Sequence, residues 1–196
     1  MLTKLRNKLS GLIDLTAKPF LVINAEPNAI TILSLITALL ALLVAIYLRN
    51  GYVVVLLILI SGYLDVIDGY VARKLGKVSK VGSFLDSTID KLNEVLFACS
   101  AIILGLNPLL MAIFLGTSLV VSYERAKAES LGMKVEGIGI MERAERILAL
   151  SVIILLYELD MYVLATYLLI ITIVLIIITL VHRLLTIVFM IRGLGS

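Results

Sequence analysis

The 196-residue chain is 61% hydrophobic, with a mean hydropathy of +1.13 and a net charge of +3. A water-soluble domain has no interior large enough to hide that many apolar side chains, so lipid must act as solvent for much of the surface. The charge suits an anionic membrane surface but is too small to argue for nucleic acid, for which no motif is present.

No Ser-, Gly- or Pro-rich linker interrupts the sequence, which reads as one membrane domain over 1–196. The first twenty residues, MLTKLRNKLSGLIDLTAKPF, lack the apolar core and cleavage site of a signal peptide. Leu2, Leu5, Leu9, Leu12, Ile13 and Leu15 fall on helical spacing with Lys4, Arg6 and Lys8 between them. That pattern predicts an amphipathic helix over 1–20 lying on the membrane surface.

Six apolar segments follow, near 28–48, 52–73, 84–105, 108–130, 142–158 and 160–190. A span needs about 20 mostly apolar residues, so the expected fold is an all-α integral membrane protein with six transmembrane helices over 28–190. Pro27-Asn28, Asn50-Gly51 and Asn107-Pro108 punctuate the segments. The 17 Lys and Arg residues gather in the N-terminal segment, the 73–83 connection, the 125–146 region and the C-terminus, whereas the opposite connections hold only Arg49. By the positive-inside rule both termini and the polar ends of spans two to five face the cytoplasm of the cell membrane. The single cysteine, Cys99, lies in an apolar run and reads as a small buried hydrophobe.

Between spans two and three stands DVIDGYVARKLGKVSKVGSFLDSTID, with four aspartates in 26 residues. Asp65 and Asp68 are three apart and Asp86 and Asp90 four apart, so each pair shares a helix face. A short connection makes the two helices antiparallel neighbours whose acidic faces can meet. Four adjacent carboxylates repel unless a cation joins them, and hard oxygen donors favour Mg²⁺, Mn²⁺ or Ca²⁺. Gly69 and Gly82 leave room for close approach, Ala72 is small, and Arg73 offers a fork suited to phosphate. The combination points to a diphosphate substrate. The competing reading pairs the aspartates with Lys77, Lys80 and Lys91 in a solvated loop.

The pattern Asp65-x-x-Asp68-Gly69-x-x-Ala72-Arg73, eight residues, then Gly82-x-x-x-Asp86-x-x-x-Asp90 resembles the signature of the CDP-alcohol phosphotransferase family. The resemblance implies transfer of a phosphatidyl-type group from a CDP-lipid donor, CDP-archaeol or CDP-diacylglycerol, to an alcohol, with release of CMP. It implies that Asp65, Asp68, Asp86 and Asp90 hold Mg²⁺ or Mn²⁺, as two ions, and that Asp90 is also the catalytic base. Asn28, Thr31, Asp65, Asp68, Gly69, Ala72, Arg73 and Gly82 are implied to bind the CDP moiety. PNAIT around Asn28 also reads simply as a helix start.

A second polar cluster, SYERAKAESLGMKVEGIGIMERAER, covers 122–146, with Arg143 and Arg146 opening span five and Arg183 on span six. Cations here suggest an acceptor with its own anion, although the positive-inside bias alone scatters basic residues in such places. The arrangement resembles the inositol-phosphate branch of the family, which implies that Ser122, Arg125, Lys127, Arg146 and Arg183 bind the acceptor phosphate. Glycerol 3-phosphate is the rival acceptor. His182 and Tyr123 read as packing or interfacial residues. Other classes consistent with intramembrane aspartates are a prenyltransferase, which would release pyrophosphate, and a cation transporter. The family resemblance also makes a homodimer plausible, which no spacing shows.

Overall fold

The computed structural model describes residues 13–133, 135 and 137–194. All regular structure among them is helical. In chain order the helices are α1 (residues 13–22), α2 (Pro27–Tyr47), α3 (Gly51–Lys74), α4 (Lys80–Leu104), α5 (Pro108–Ser130), α6 (Arg143–Glu158) and α7 (Tyr162–Leu194). The last six coincide with the six apolar segments, and local signals explain their ends. Prolines at the first position open α2 and α5, where the missing N–H costs nothing. The Asn50 side chain accepts from Val53 N, and Asn107 accepts from Leu109 N and Leu110 N. Gly105, with φ 117, closes α4 in the left-handed conformation.

Helix α4 starts four residues before the expected 84. Ser79 caps it by accepting from Gly82 N at 3.0 Å, so the helix continues through the polar residues that had looked like a loop. Among the described residues, four helices are long and apolar enough to cross a membrane: α2, α3, α5 and α7 over Tyr162–Arg192. The other two fall short for different reasons. Helix α4 carries Lys80, Asp86, Asp90, Lys91 and Glu94 between its start and Glu94, and α6 has only 16 residues.

The chain divides into two compact units, one reaching to Leu106 and the other starting at Asn107. In the first, α2 packs extensively against both α3 and α4, while α3 and α4 touch each other far less. Sequence had made α3 and α4 the neighbouring pair. The reason for the difference lies in α2, whose buried side is lined by Ser34, Thr37, Ala38, Ala41 and Ala45. Small residues at this spacing let two backbones approach closely in an apolar environment. Helix α1 docks on the same unit: Ala17 is buried with Ile30, Leu64, Ile67 and Val71, and Ile13, Phe20 and Leu21 pack around them. The remaining positions of the expected amphipathic surface helix, Leu2, Leu5, Leu9 and Leu12, lie outside the described residues.

In the second unit α7 packs against both α5 and α6. At 33 residues it runs about 50 Å, longer than the hydrocarbon thickness of a bilayer. The connection between α5 and α6 is fastened to α7. Thr179 Oγ1 accepts from Ile140 N at 3.2 Å and Met141 N at 3.1 Å, and Ala128, Met133 and Val135 form a small core with Ile138 and Ile187.

Candidate functional site

Helix α3 presents Asp65 and Asp68 one turn apart, and α4 presents Asp86 in its second turn. One carboxylate oxygen from each of the three lies within 4.8 Å of the others. Asp68 is buried, while Asp65 and Asp86 are half-buried. Three like charges this close are costly by themselves, and a bound divalent cation turns the repulsion into coordination. The donor set is all carboxylate oxygen, which fits Mg²⁺ or Mn²⁺ and does not select zinc or copper. Thr31 Oγ1 donates to Asp68 Oδ2 at 2.5 Å, which orients the carboxyl group. Asp90 is half-buried one turn beyond Asp86 and stands outside the group of three.

Around the carboxylates, Asn28, Thr31, Gly69, Ala72, Arg73 and Gly82 occupy related positions. A Cβ on Gly69 would stand 3.3 Å from Arg73 Nη1, so the guanidinium folds back over that glycine. A Cβ on Gly82 would stand 3.0 Å from Asn28 Oδ1 and 3.1 Å from Ser79 Oγ. Both glycines lie against this chain's own polar side chains. The same contact brings Asn28, in the first turn of α2, against the first turn of α4. The Thr31 hydroxyl is committed to Asp68, so Thr31 acts on the site through that carboxylate. Ala72 is half-buried and Arg73 exposed. Of the lysines in the alternative pairing, Lys77 bonds Glu26 at 2.7 Å and Lys91 bonds Glu94 at 3.1 Å.

Three buried polar residues near the site escaped the sequence reading: Ser34, Ser61 and Asn93. The signal for Asn93 was present, because it falls one turn after Asp90 on the same helix face in an otherwise apolar stretch.

The second cluster is built by α5, α6, α7 and the 131–142 connection. Arg146 is 3% exposed and donates from Nη1 to Met141 O at 3.2 Å and from Nη2 to Ser122 Oγ at 3.4 Å. Arg183, also 3% exposed, donates from Nε and Nη2 to Ile138 O at 3.0 and 2.7 Å and from Nη1 to Val121 O at 2.9 Å. Glu142 Oε1 lies 4.0 Å from Arg183 Nη2. Arg125 Nε bonds Glu129 at 2.8 Å on an exposed face. Lys127 is exposed and, two residues on from Arg125, projects from a different side of α5. Of the five residues proposed for an acceptor phosphate, Arg146 and Arg183 are buried and bonded to the 138–141 backbone, half-buried Ser122 bonds Arg146, and Lys127 is exposed.

The chain is similar to several known proteins. The chain is 42% identical over 132 residues to an archaetidylinositol phosphate synthase of Aeropyrum pernix, covering 67% of this chain and 68% of that one. It is 36% identical over 154 residues to an archaetidylinositol phosphate synthase of Pyrococcus horikoshii, covering 78% and 81%. The fold matches that of the phosphatidylinositol phosphate synthase of Mycobacterium tuberculosis, solved with CDP-DAG bound (TM-score 0.75, 24% identity, 89% of this chain and 92% of that one). The same protein has been solved with manganese and citrate (TM-score 0.75, 24% identity, 89% and 88% covered). Residues 24–191 match the family described as CDP-alcohol phosphatidyltransferase, a stretch that contains every candidate site residue named above. With the aspartate spacing, the carboxylate geometry and this match in agreement, the chain belongs to the CDP-alcohol phosphatidyltransferase family.

Proposed function

We propose that the chain transfers the lipid-phosphate group of a CDP-lipid to a hydroxyl of an inositol phosphate and releases CMP. The observation that carries the chemistry is the meeting of Asp65, Asp68 and Asp86 from two helices. The acceptor rests on the archaetidylinositol phosphate synthases at 36–42% identity and on the buried Ser122–Arg146–Arg183 cluster.

Asp65, Asp68 and Asp86, with Asp90 toward a second position, would hold Mg²⁺ or Mn²⁺ as two ions. Bound there, the metal would neutralise charge on the phosphoryl oxygens of the donor. The acceptor hydroxyl forms a bond to the β-phosphorus, its proton passes to the Asp90 carboxylate, and the bond to the bridging oxygen breaks so that CMP leaves. Arg73, with Asn28, Gly69, Ala72 and Gly82 around the first turns of α2 and α4 and the last turns of α3, forms the CDP side of the site, and Thr31 steadies Asp68. By the family resemblance, Ser122, Arg125, Lys127, Arg146 and Arg183 bind the phosphate of the acceptor.

The reading includes six crossings of the cell membrane, a single catalytic domain, and an active site at the cytoplasmic ends of the helices. The distribution of Lys and Arg supports that orientation. There the lipid tails stay in the bilayer while the water-soluble acceptor arrives from outside it.

The test is CMP release by the purified chain with CDP-archaeol or CDP-diacylglycerol, Mg²⁺ or Mn²⁺, and inositol phosphate, glycerol 3-phosphate, inositol or serine. Turnover with inositol phosphate is expected. Turnover with glycerol 3-phosphate alone would overturn the acceptor, and pyrophosphate release or ion flux without CMP would overturn the reaction class.

A further inference from the structure

Beneath the carboxylates lies a layer of polar groups that neither metal nor nucleotide binding uses. Ser34 of α2, Ser61 of α3 and Asn93 of α4 are each 0% exposed. Ser34 Oγ donates to Thr31 O at 2.7 Å, Asn93 Nδ2 donates to Ser34 Oγ at 3.2 Å, and Ser61 Oγ donates to Ser34 O at 2.8 Å. A serine hydroxyl has one proton, and Thr31 O takes it. Asn93 must therefore present its amino group to Ser34, which fixes the orientation of its amide.

The register of this layer is regular. Ser34 is three residues after Thr31, Ser61 four before Asp65, and Asn93 three after Asp90. Each step is one turn along the same helix face. The layer thus sits about 5.4 Å deeper than the residues that surround the carboxylates. Apolar side chains could fill the same space without the cost of burying hydroxyl and amide groups. What polar groups add is discrimination: the Asn93 amino group meets Ser34 Oγ, and Ser61 Oγ meets Ser34 O, in only one axial alignment of the three helices.

Helix α4 contributes Asp86 to the group of three, yet it touches α3, which carries Asp65 and Asp68, only slightly. Both helices are instead referenced to a single turn of α2. Thr31 holds Asp68, and Ser34, one turn on, holds Asn93. We propose that Asn93 is a positioning residue, whose hydrogen bond to Ser34 sets the axial position of α4 and thereby the placing of Asp86 against Asp65 and Asp68. This inference rests on the reading of the three aspartates as a metal site.

The experiment is a titration of the full-length protein in detergent with Mn²⁺, following loss of the free-ion electron paramagnetic resonance signal. It is run on wild type, Asn93→Ala, Ser34→Ala and the double variant, each with its metal-free melting temperature. Each single variant is expected to bind Mn²⁺ about tenfold more weakly, the size of effect seen when a group that orients metal ligands is removed. The double variant should bind no more weakly than the worse single one, because both remove one hydrogen bond, and the metal-free melting temperature should stay near that of wild type. Wild-type affinity in both single variants would overturn the proposal, as would losses that multiply in the double variant. A collapse of metal-free stability in Ser34→Ala, the milder truncation, would make the layer a structural strut and also overturn it. No Mn²⁺ uptake by wild type would instead sink the metal-site reading itself.

Discussion

In the helices up to Leu106, charged side chains from α3 and α4 converge so that three carboxylates offer oxygens within 4.8 Å of one another. In the helices from Asn107 onward, two arginines are buried to 3% exposure and donate to the main-chain oxygens of Ile138, Val121 and Met141. Both regions bury charge, but to different ends. Gathered acids are unfavourable for the fold alone and become favourable with a cation, whereas a guanidinium on carbonyl oxygens already satisfies groups that the fold would otherwise leave exposed to an apolar surrounding. The contrast teaches that a charged residue at membrane depth is not by itself evidence of a ligand; what its donors or acceptors touch decides.

Substitutions can break this comparison. The largest effect is expected for Asp90→Asn, in which CMP release should fall about 10³-fold, the scale of losing a general base, or about 4 kcal/mol of barrier, with the melting temperature unchanged. Full activity in that variant would remove Asp90 as the base. Next is Arg183→Leu, which strips charged donors from Ile138 O and Val121 O and should cost about 3 kcal/mol of stability, read as a lower melting temperature in detergent. If that variant melts like wild type, the bonds of Arg183 to Ile138 O and Val121 O do not support the fold and the contrast fails.

Gly139→Ala should cost about 2 kcal/mol. Gly139 has φ +124, and a Cβ there would stand 2.4 Å from Thr179 Cγ2. Adding Thr179→Ser, which keeps the hydroxyl that Ile140 N and Met141 N bond, should recover part of the loss; no recovery would show that backbone strain alone matters. The smallest effect is expected at Arg125, whose exposed pair with Glu129 contributes about 0.5 kcal/mol at most. For Arg125→Gln, melting should barely move while the acceptor KM rises and kcat holds. An unchanged KM would place Arg125 outside the acceptor pocket.

Much of the fold was legible along the chain because each helix is fixed locally. Prolines, asparagine caps and runs of apolar residues mark starts and ends without reference to any other part of the molecule. The early start of α4 was less visible, since Ser79 caps a turn composed of residues that equally suit a loop. The carboxylates were legible too, as the three- and four-residue spacings put each pair on one face. Whether Asp90 joins the others was not, because a shared face along one helix leaves the distance to another helix open.

The sequence by itself determined the helices, the membrane character and the acidic motif, all of which follow from spacing and hydropathy over a few turns. Tertiary structure alone decided that α2 mediates between α3 and α4, that Thr31 and Asn28 act on Asp68 and Gly82, and that Arg146 and Arg183 bind the backbone of the 131–142 connection. The physical reason is the same in each case. Periodicity tells which residues share a face, but which faces meet depends on how closely backbones can approach, and here that is set by buried Ser34, Ala38, Ala41 and Ala45 on α2 and by the positive-φ Gly139 against Thr179.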